Sequence, residues 1–186
     1  MGTKETDIVS DLLITTTHHD ILFFTNRGRA FVLKSYEIPE SGRQAKGTAI
    51  INLLAVENDE RITAVIQVKE FRADRYLFLG TKHGVVKKTP LSEFGNIRKN
   101  GLRAVNLDED DELIGVKFTD GENRIMLGTR GGKAITFPED GVRSMGRVAR
   151  GVRGITLADG DEVVAMDVLR SDSEVLTVTE GGYGKR

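Results

Sequence analysis

Four stretches of the chain align on a glycine: FFTNRGRAFVL (23–33), FLGTKHGVVKK (78–88), MLGTRGGKAIT (126–136) and VLTVTEGGYGK (175–185). Gly28, Gly84, Gly132 and Gly182 follow one another at spacings of 56, 48 and 50 residues. A period in this range constrains the fold more than any composition does. Each repeat must be one supersecondary unit that buries its apolar face only against its neighbours. Each stretch reads as a strand rich in β-branched and aromatic residues, a tight turn ending in glycine, and a second strand. That is a β-hairpin whose glycine supplies the positive φ of the turn.

The rest of each unit repeats as well. A connection (SYEIPES, TPLSEF, FPEDGVRS) leads into a glycine-bounded basic loop: SGRQAKG (41–47), FGNIRKNG (94–101) or MGRVARG (145–151). A short apolar segment follows (TAIINLL, LRAVNL, VRGITL), then an acidic turn (ENDE, DEDDE, DGDE), then a strand (RITAVIQV, LIGVKFT, VVAMDVL). Four short strands in about 50 residues are the pattern of a propeller blade or an equivalent all-β repeat. No segment sustains the 3.6-residue period of a helix, so the expected fold is all-β with little helix. Residues 8–17 resemble the closing strand of a preceding unit, and the sequence ends partway through a fourth hairpin. The expected organisation is a flexible end or cloning scar over 1–7, then a partial array over 8–186. That array holds about three full blades with partial ones at both ends, as a piece of a longer protein.

Charge is abundant but nearly balanced, with 27 Lys and Arg against 28 Asp and Glu, so only its distribution is informative. The acidic turns carry Glu57, Asp59 and Glu60, then Asp108 to Glu112, then Asp159, Asp161 and Glu162, with no base among them. The hairpins and loops carry the opposite sign. Stacked in register, they are expected to form a continuous basic track with the acids on a separate one. Such a track suits a nucleic-acid backbone, bound by Lys and Arg with counterion release and read without sequence. Arg43, Lys46, Arg98, Lys99, Arg147 and Arg150 are the candidate phosphate contacts. Lys87, Lys88, Lys133, Arg153, Lys185 and Arg186 extend the track. A charged rim also suits an acidic protein partner, as in other propellers.

Several segments resemble the C-terminal β-pinwheel domain of the DNA gyrase A subunit, or its topoisomerase IV counterpart. They are FFTNRGRAFVLKSYEIPESGRQAKGTAIINLL, LSEFGNIRKNGLRAVNLDEDDELIGV, MGRVARGVRGITLADGD and TEGGYGKR, which span nearly the whole chain. The resemblance implies a propeller-like disc whose blades exchange strands and whose basic rim wraps double-stranded DNA in support of supercoiling. It implies a non-catalytic part of an ATP-dependent type II topoisomerase, partnered by the B subunit and by the rest of the gyrase A polypeptide. No cofactor is expected in this chain; ATP and magnesium belong elsewhere in the whole enzyme. A cytoplasmic, nucleoid-associated location follows, with no membrane partner. The family's hallmark loop, Q-R-R-G-G-K-G, has no match in this sequence; SGRQAKG and MGRVARG are related loops of other blades.

Other chemistry is set aside on the residues. GTRGGKA (128–134) is no phosphate-binding P-loop, because Ala134 stands where a magnesium-binding Ser or Thr is required. His18 and His19, adjacent on an extended segment, point to opposite faces. No disulfide or thiolate metal site is available, for there is no cysteine. The acidic turns lack EF-hand spacing. Tyr36 and Tyr76 are expected to pack, and Tyr183 to lie near the basic path. No catalytic or metal-binding residue is expected.

Overall fold

The computed structural model describes residues 9, 11–42, 45–98, 100–172 and 174–186. Strands β1 (Asp20–Thr25) and β2 (Arg29–Lys34) form the first hairpin, paired with Phe23 opposite Phe31, and β3 (Ile62–Val68) takes the other edge of β1. The second unit repeats this with β4 (Tyr76–Thr81), β5 (Val85–Pro90) and β7 (Leu113–Thr119), and the third with β8 (Arg124–Thr129), β9 (Ala134–Pro138) and β11 (Val163–Leu169). The two-residue strands β6 (Leu102–Arg103) and β10 (Val152–Arg153) sit elsewhere. β6 comes from the second repeat but pairs with β2, and β10 comes from the third but pairs with β5. The sheets therefore run β3-β1-β2-β6 and β10-β5-β4-β7, each finished by its successor's strand, then β11-β8-β9. The start of the fourth hairpin pairs β12 (Thr177–Val178) with β13 (Gly184–Lys185). The architecture is an all-β pinwheel of strand-exchanged blades, with only short 3-10 turns among the described residues.

The exchange hangs on the hairpin glycines. Gly28 has φ +72°, and a Cβ there would lie 2.8 Å from Val105 Cγ1; Gly84, at φ +81°, would place one 2.8 Å from Ile155 Cγ2. Glycine at these positions answers two demands, a left-handed backbone and the close approach of the next repeat. The Gly28 carbonyl accepts the Ala104 amide at 2.8 Å and the Val105 amide at 3.3 Å; the Gly84 carbonyl accepts those of Gly154 and Ile155 at the same distances. Within each turn the hydroxyl of Thr25, Thr81 or Thr129 accepts the amide of Arg29, Val85 or Lys133. Gly132 shares the backbone, φ +83°, but a Cβ there meets nothing within 4 Å.

Side chains alternate across each sheet, and those of β1, β4 and β5 are buried on both faces because blades stack side by side, whereas β9 is largely exposed. In β4, Leu77 and Leu79 join Leu22, Phe24, Phe94, Val105 and Leu113 in the core between the first two blades, where the Phe24 and Phe94 rings meet edge to face at 5.9 Å. Phe78, on the opposite face, joins Val86, Leu127, Ile155 and Met166 in the next core.

Among the polar side chains buried in the blades, Glu139, Lys88 and Lys87 carry charge into the interior. The Glu139 carboxylate is fully buried; its Oε1 accepts the Gly121 and Asn123 amides and the Asn123 side chain, each at 2.9 Å, clamping the turn between β7 and β8. Lys88 is 7% exposed and donates to the Glu139 carbonyl at 2.8 Å. Lys87 is 1% exposed and donates to the carbonyls of Ala104 and Arg147. Desolvation, aided by the nearby Arg147 charge and opposed by Glu93, lowers the Lys87 pKa from 10.5 to about 8.

Three details depart from expectation. TAIINLL forms a 3-10 turn over Ile50–Asn52 instead of a strand, because no sheet offers it an edge of the kind β2 offers β6. The described residues of 9–17 pair with no strand either. Tyr76 packs beneath the Lys88 ammonium, 5.3 Å from the ring centre, whereas Tyr36 is exposed.

Gly84→Ala is expected to cost about 2–3 kcal/mol, from backbone strain plus the clash with Ile155, and Gly132→Ala only about 1 kcal/mol from strain alone. Urea unfolding of the two variants reads the difference, and equal losses contradict the strand-exchange contact. Lys87 sets a pH dependence. Its folded pKa lies below its unfolded value, so between about pH 8 and pH 10.5 the unfolded chain holds more protons. Stability therefore rises across that window, by up to about 1.4 kcal/mol per pH unit from this group. The slope is expected to vanish in Lys87→Met, as read by the difference between the two unfolding profiles.

Candidate nucleic-acid interface

The register that builds each blade also decides where its acids go. The strand after each acidic turn runs antiparallel to the first hairpin strand, pairing Thr25 with Ile62, Thr81 with Leu113 and Thr129 with Val163. Each acidic turn must then lie beside a hairpin tip. The expected separate acidic track is corrected accordingly: acids and hairpin bases interleave. Arg29 bonds Glu60 at 2.8 Å, and Arg27 pairs with Asp59. The Glu60 carboxylate, with no exposed surface, also accepts the Glu57 amide and the Thr25 hydroxyl. Two further acids reach between repeats. Glu112 holds Arg61 at 2.7 Å, and Glu162 holds Lys82 at 3.2 Å and Arg130 at 2.7 Å. Asp161, hydrogen-bonded by the Thr129 hydroxyl and then by the Gly131 amide, stays ionised below the usual carboxylate range. The hairpin-tip cations Arg27, Arg29, Lys82 and Arg130 are thus spent on holding the molecule together.

The glycine-bounded loops of the second and third repeats are placed differently, each seated on the preceding blade. In the 94–101 loop, Gly101 (φ +75°) presses on the Phe31 ring of β2, and the Asn100 carbonyl accepts Arg29 Nη2 at 3.0 Å. In the 145–151 loop, the Met145 amide bonds the Lys88 carbonyl at 2.8 Å, Asn106 Nδ2 bonds the Val148 carbonyl at 2.6 Å, and Gly151 (φ +104°) sits over β5. This loop's cations face acids of the second repeat. Arg150 is exposed and paired with Asp108; Arg147 is half-buried, with Nε 3.6 Å from Glu93.

The remaining candidates divide. Lys46, Arg98, Lys133 and Arg153 are exposed, with no carboxylate within 4 Å among the described residues. Lys185 lies on β13, and Arg186 meets Glu174 at 2.6 Å. Arg43 and Lys99 lie outside the described residues. Lys87 and Lys88 are removed from the set of phosphate contacts: both are buried in β5 with their ammonium groups on backbone carbonyls. Their reading as surface bases rests on charge alone, whereas β5 is covered on both faces.

One exposed candidate is missing from the sequence-based set. Arg103 of β6 stands opposite Arg29, and Arg153 of β10 stands opposite Val85, so the two arginines occupy the same place on successive donated outer strands. Both are exposed at the rim. Their 50-residue separation, equal to the repeat, is the signal in the sequence.

Comparison with known proteins places this arrangement. The profile described as "DNA gyrase C-terminal domain, beta-propeller" matches residues 19–69, 75–120, 123–170 and 173–186, one segment per repeat. The DNA gyrase A subunit of Staphylococcus aureus (strain MRSA252) is 50% identical over 189 residues, covering 100% of this chain and 21% of that protein; the strain NCTC 8325 protein matches equally. The chain thus spans about a fifth of these relatives. Among solved structures, the C-terminal domain of DNA topoisomerase IV superposes with TM-score 0.90 at 32% identity, over 99% of this chain and 58% of that one. The DNA gyrase A C-terminal domain superposes with TM-score 0.74 at 25% identity, over 91% and 54%. The ParC C-terminal domain of E. coli, at 14% identity and TM-score 0.73, shares the fold. With strand-exchanged blades, repeated glycine turns and a family profile falling on every repeat, the chain belongs to the DNA gyrase C-terminal β-propeller family.

Proposed function

We propose that this chain binds double-stranded DNA through its sugar-phosphate backbone along the blade rim and bends it. In this reading it is a non-catalytic part of a type IIA topoisomerase that works in the bacterial cytoplasm at the nucleoid. The observation that carries this is positional. A glycine-bounded basic loop recurs once per repeat; in the second and third repeats it is seated on the preceding blade, and the donated strand that follows it presents Arg103 or Arg153 at the rim. Repeated cations on a curved solid neutralise a curved polyanion at regular intervals, and glycines let backbone amides approach phosphates closely. Selectivity among sequences then comes from how easily the duplex bends. The gyrase A relatives support the same reading; the partners proposed with it are the rest of a gyrase A polypeptide and the B subunit with its ATP.

The contacts proposed are Lys46, Arg98, Arg103, Lys133, Arg147, Arg150 and Arg153, with Arg43, Lys99, Lys185 and Arg186 continuing the path. Arg147 and Arg150 meet phosphate in competition with Glu93 and Asp108, which hold them in the free chain.

If about six phosphates are neutralised, the logarithm of the DNA association constant falls against the logarithm of salt with a slope of roughly -5. Arg147→Ala combined with Arg150→Ala is expected to flatten that slope by about 2, and an unchanged slope sinks the assignment of this loop. Asp108→Asn, by releasing Arg150, is expected to raise affinity about two- to fivefold at low salt. Ligation of nicked circular DNA in the presence of the chain reads bending directly. A linking-number shift of one sign is expected, and retained binding with no shift overturns wrapping by these blades.

A further inference from the structure

Lys87 is a costly residue for its place. The positions equivalent to it, three residues after the hairpin glycine, are Phe31 in the first blade and Ile135 in the third, so the fold accepts an apolar side chain there. Burying an ammonium needs full hydrogen-bond compensation to be tolerated. That compensation comes from two carbonyls that belong to different parts of the rim. The Ala104 carbonyl, at 2.7 Å, immediately follows Arg103 on the donated strand of the first blade. The Arg147 carbonyl belongs to the basic loop of the third repeat. The Lys87 ammonium therefore joins both stations from beneath, while the Asn106 side chain joins them at the surface, accepting from Arg103 Nη1 at 3.0 Å and donating to the Val148 carbonyl at 2.6 Å. Lys87 lies under Gly151, whose Cβ position is 3.3 Å from the Lys87 Cβ.

We propose that Lys87 is a positioning residue for DNA: by gripping the carbonyls of Ala104 and Arg147 it fixes the separation of the Arg103 and Arg147 phosphate stations, and its positive charge supports the phosphate docked above them. The inference rests on the DNA-backbone reading given under Proposed function. It sets the spacing, and so the local bend, by a contact that itself stays dry. The charged groups acting on Lys87 are Arg147 and Glu93, themselves 3.6 Å apart, with the Arg150 and Asp108 pair flanking the same loop. Arg147 depresses the Lys87 proton affinity; a phosphate that engages Arg147 offsets that charge and restores the proton. Binding is then linked to proton uptake near pH 8.

The test uses the 186-residue chain and a short labelled DNA duplex. Affinity of the unmodified chain is expected to fall about tenfold from pH 7 to pH 9.5, as follows if phosphate raises the Lys87 pKa by one unit. Calorimetry at pH 8 in buffers of different ionisation enthalpy is expected to show a fraction of a proton taken up per chain bound. Lys87→Met, with Lys87→Ile as the second variant because Ile135 fills the equivalent site, is expected to abolish both the pH dependence and the proton uptake. Its linking-number shift is expected to fall further than its affinity. Variants that keep the unmodified pH profile and proton uptake overturn the proposal. The Arg147→Ala and Arg150→Ala variant separates the levels. If it loses affinity while the Lys87 variants change nothing, Lys87 alone is wrongly assigned. If it binds as the unmodified chain does, the DNA reading of this loop fails and Lys87 fails with it.

Discussion

The structure depends on a carbonyl held outward by a left-handed glycine. Gly28 and Gly84 each turn their oxygen toward the following repeat, where two successive amides close on it and bring the donated strand alongside. A side chain at either glycine would occupy the space of Val105 or Ile155, so the same atom-sized vacancy serves the turn and the junction. Everything at the rim inherits its position from this joint. β6 and β10 are only two residues long, too short to hold their place by ladder bonds, and it is the glycine carbonyl that fixes where Arg103 and Arg153 emerge.

Charge is arranged on two levels that composition does not distinguish. At the hairpin tips, Glu60, Glu112 and Glu162 satisfy arginines and lysines within and between repeats; the wholly buried Glu60 carboxylate is a structural tie. At the loops, the pairs are exposed and long-stemmed, and such pairs contribute little and exchange partners easily. Arg150 on Asp108 is of this second sort. A polyanion competing for the rim displaces the weak pairs and leaves the tips alone, so the joints between blades are insulated from what binds outside them.

The repeat, the hairpins and the all-β architecture are legible in the sequence because they rest on local signals: glycine turns at a fixed period and β-branched runs between them. The exchange of strands is legible only through family resemblance, since nothing in LRAVNL says that it pairs with the blade before its own. Two errors share a cause. Lys87 and Lys88 read as surface bases, and the acidic turns as a separate track, because one-dimensional charge carries no information on which faces are covered or which turns are brought side by side. Packing against a following blade buries the first pair, and the register of Thr25 with Ile62 delivers the second beside the hairpins. Arg103 escapes notice for the opposite reason. Its equivalence to Arg153 lies in the spacing but gains weight only once both are seen to sit on donated strands.

Strand donation also sets a schedule for synthesis. β1, β2 and β3 of the first blade are all present once residue 68 has emerged, yet its outer strand is encoded at 102–103 and its locking amides at 104–105. During that interval β2 presents an unpaired edge, the kind of edge on which nascent chains misassociate. The first two blades are thus each finished about two-thirds of a repeat late, by a segment whose own blade has begun to form. A chain built this way closes in strict order from its beginning, and a ribosome stalled inside a basic loop leaves one blade open.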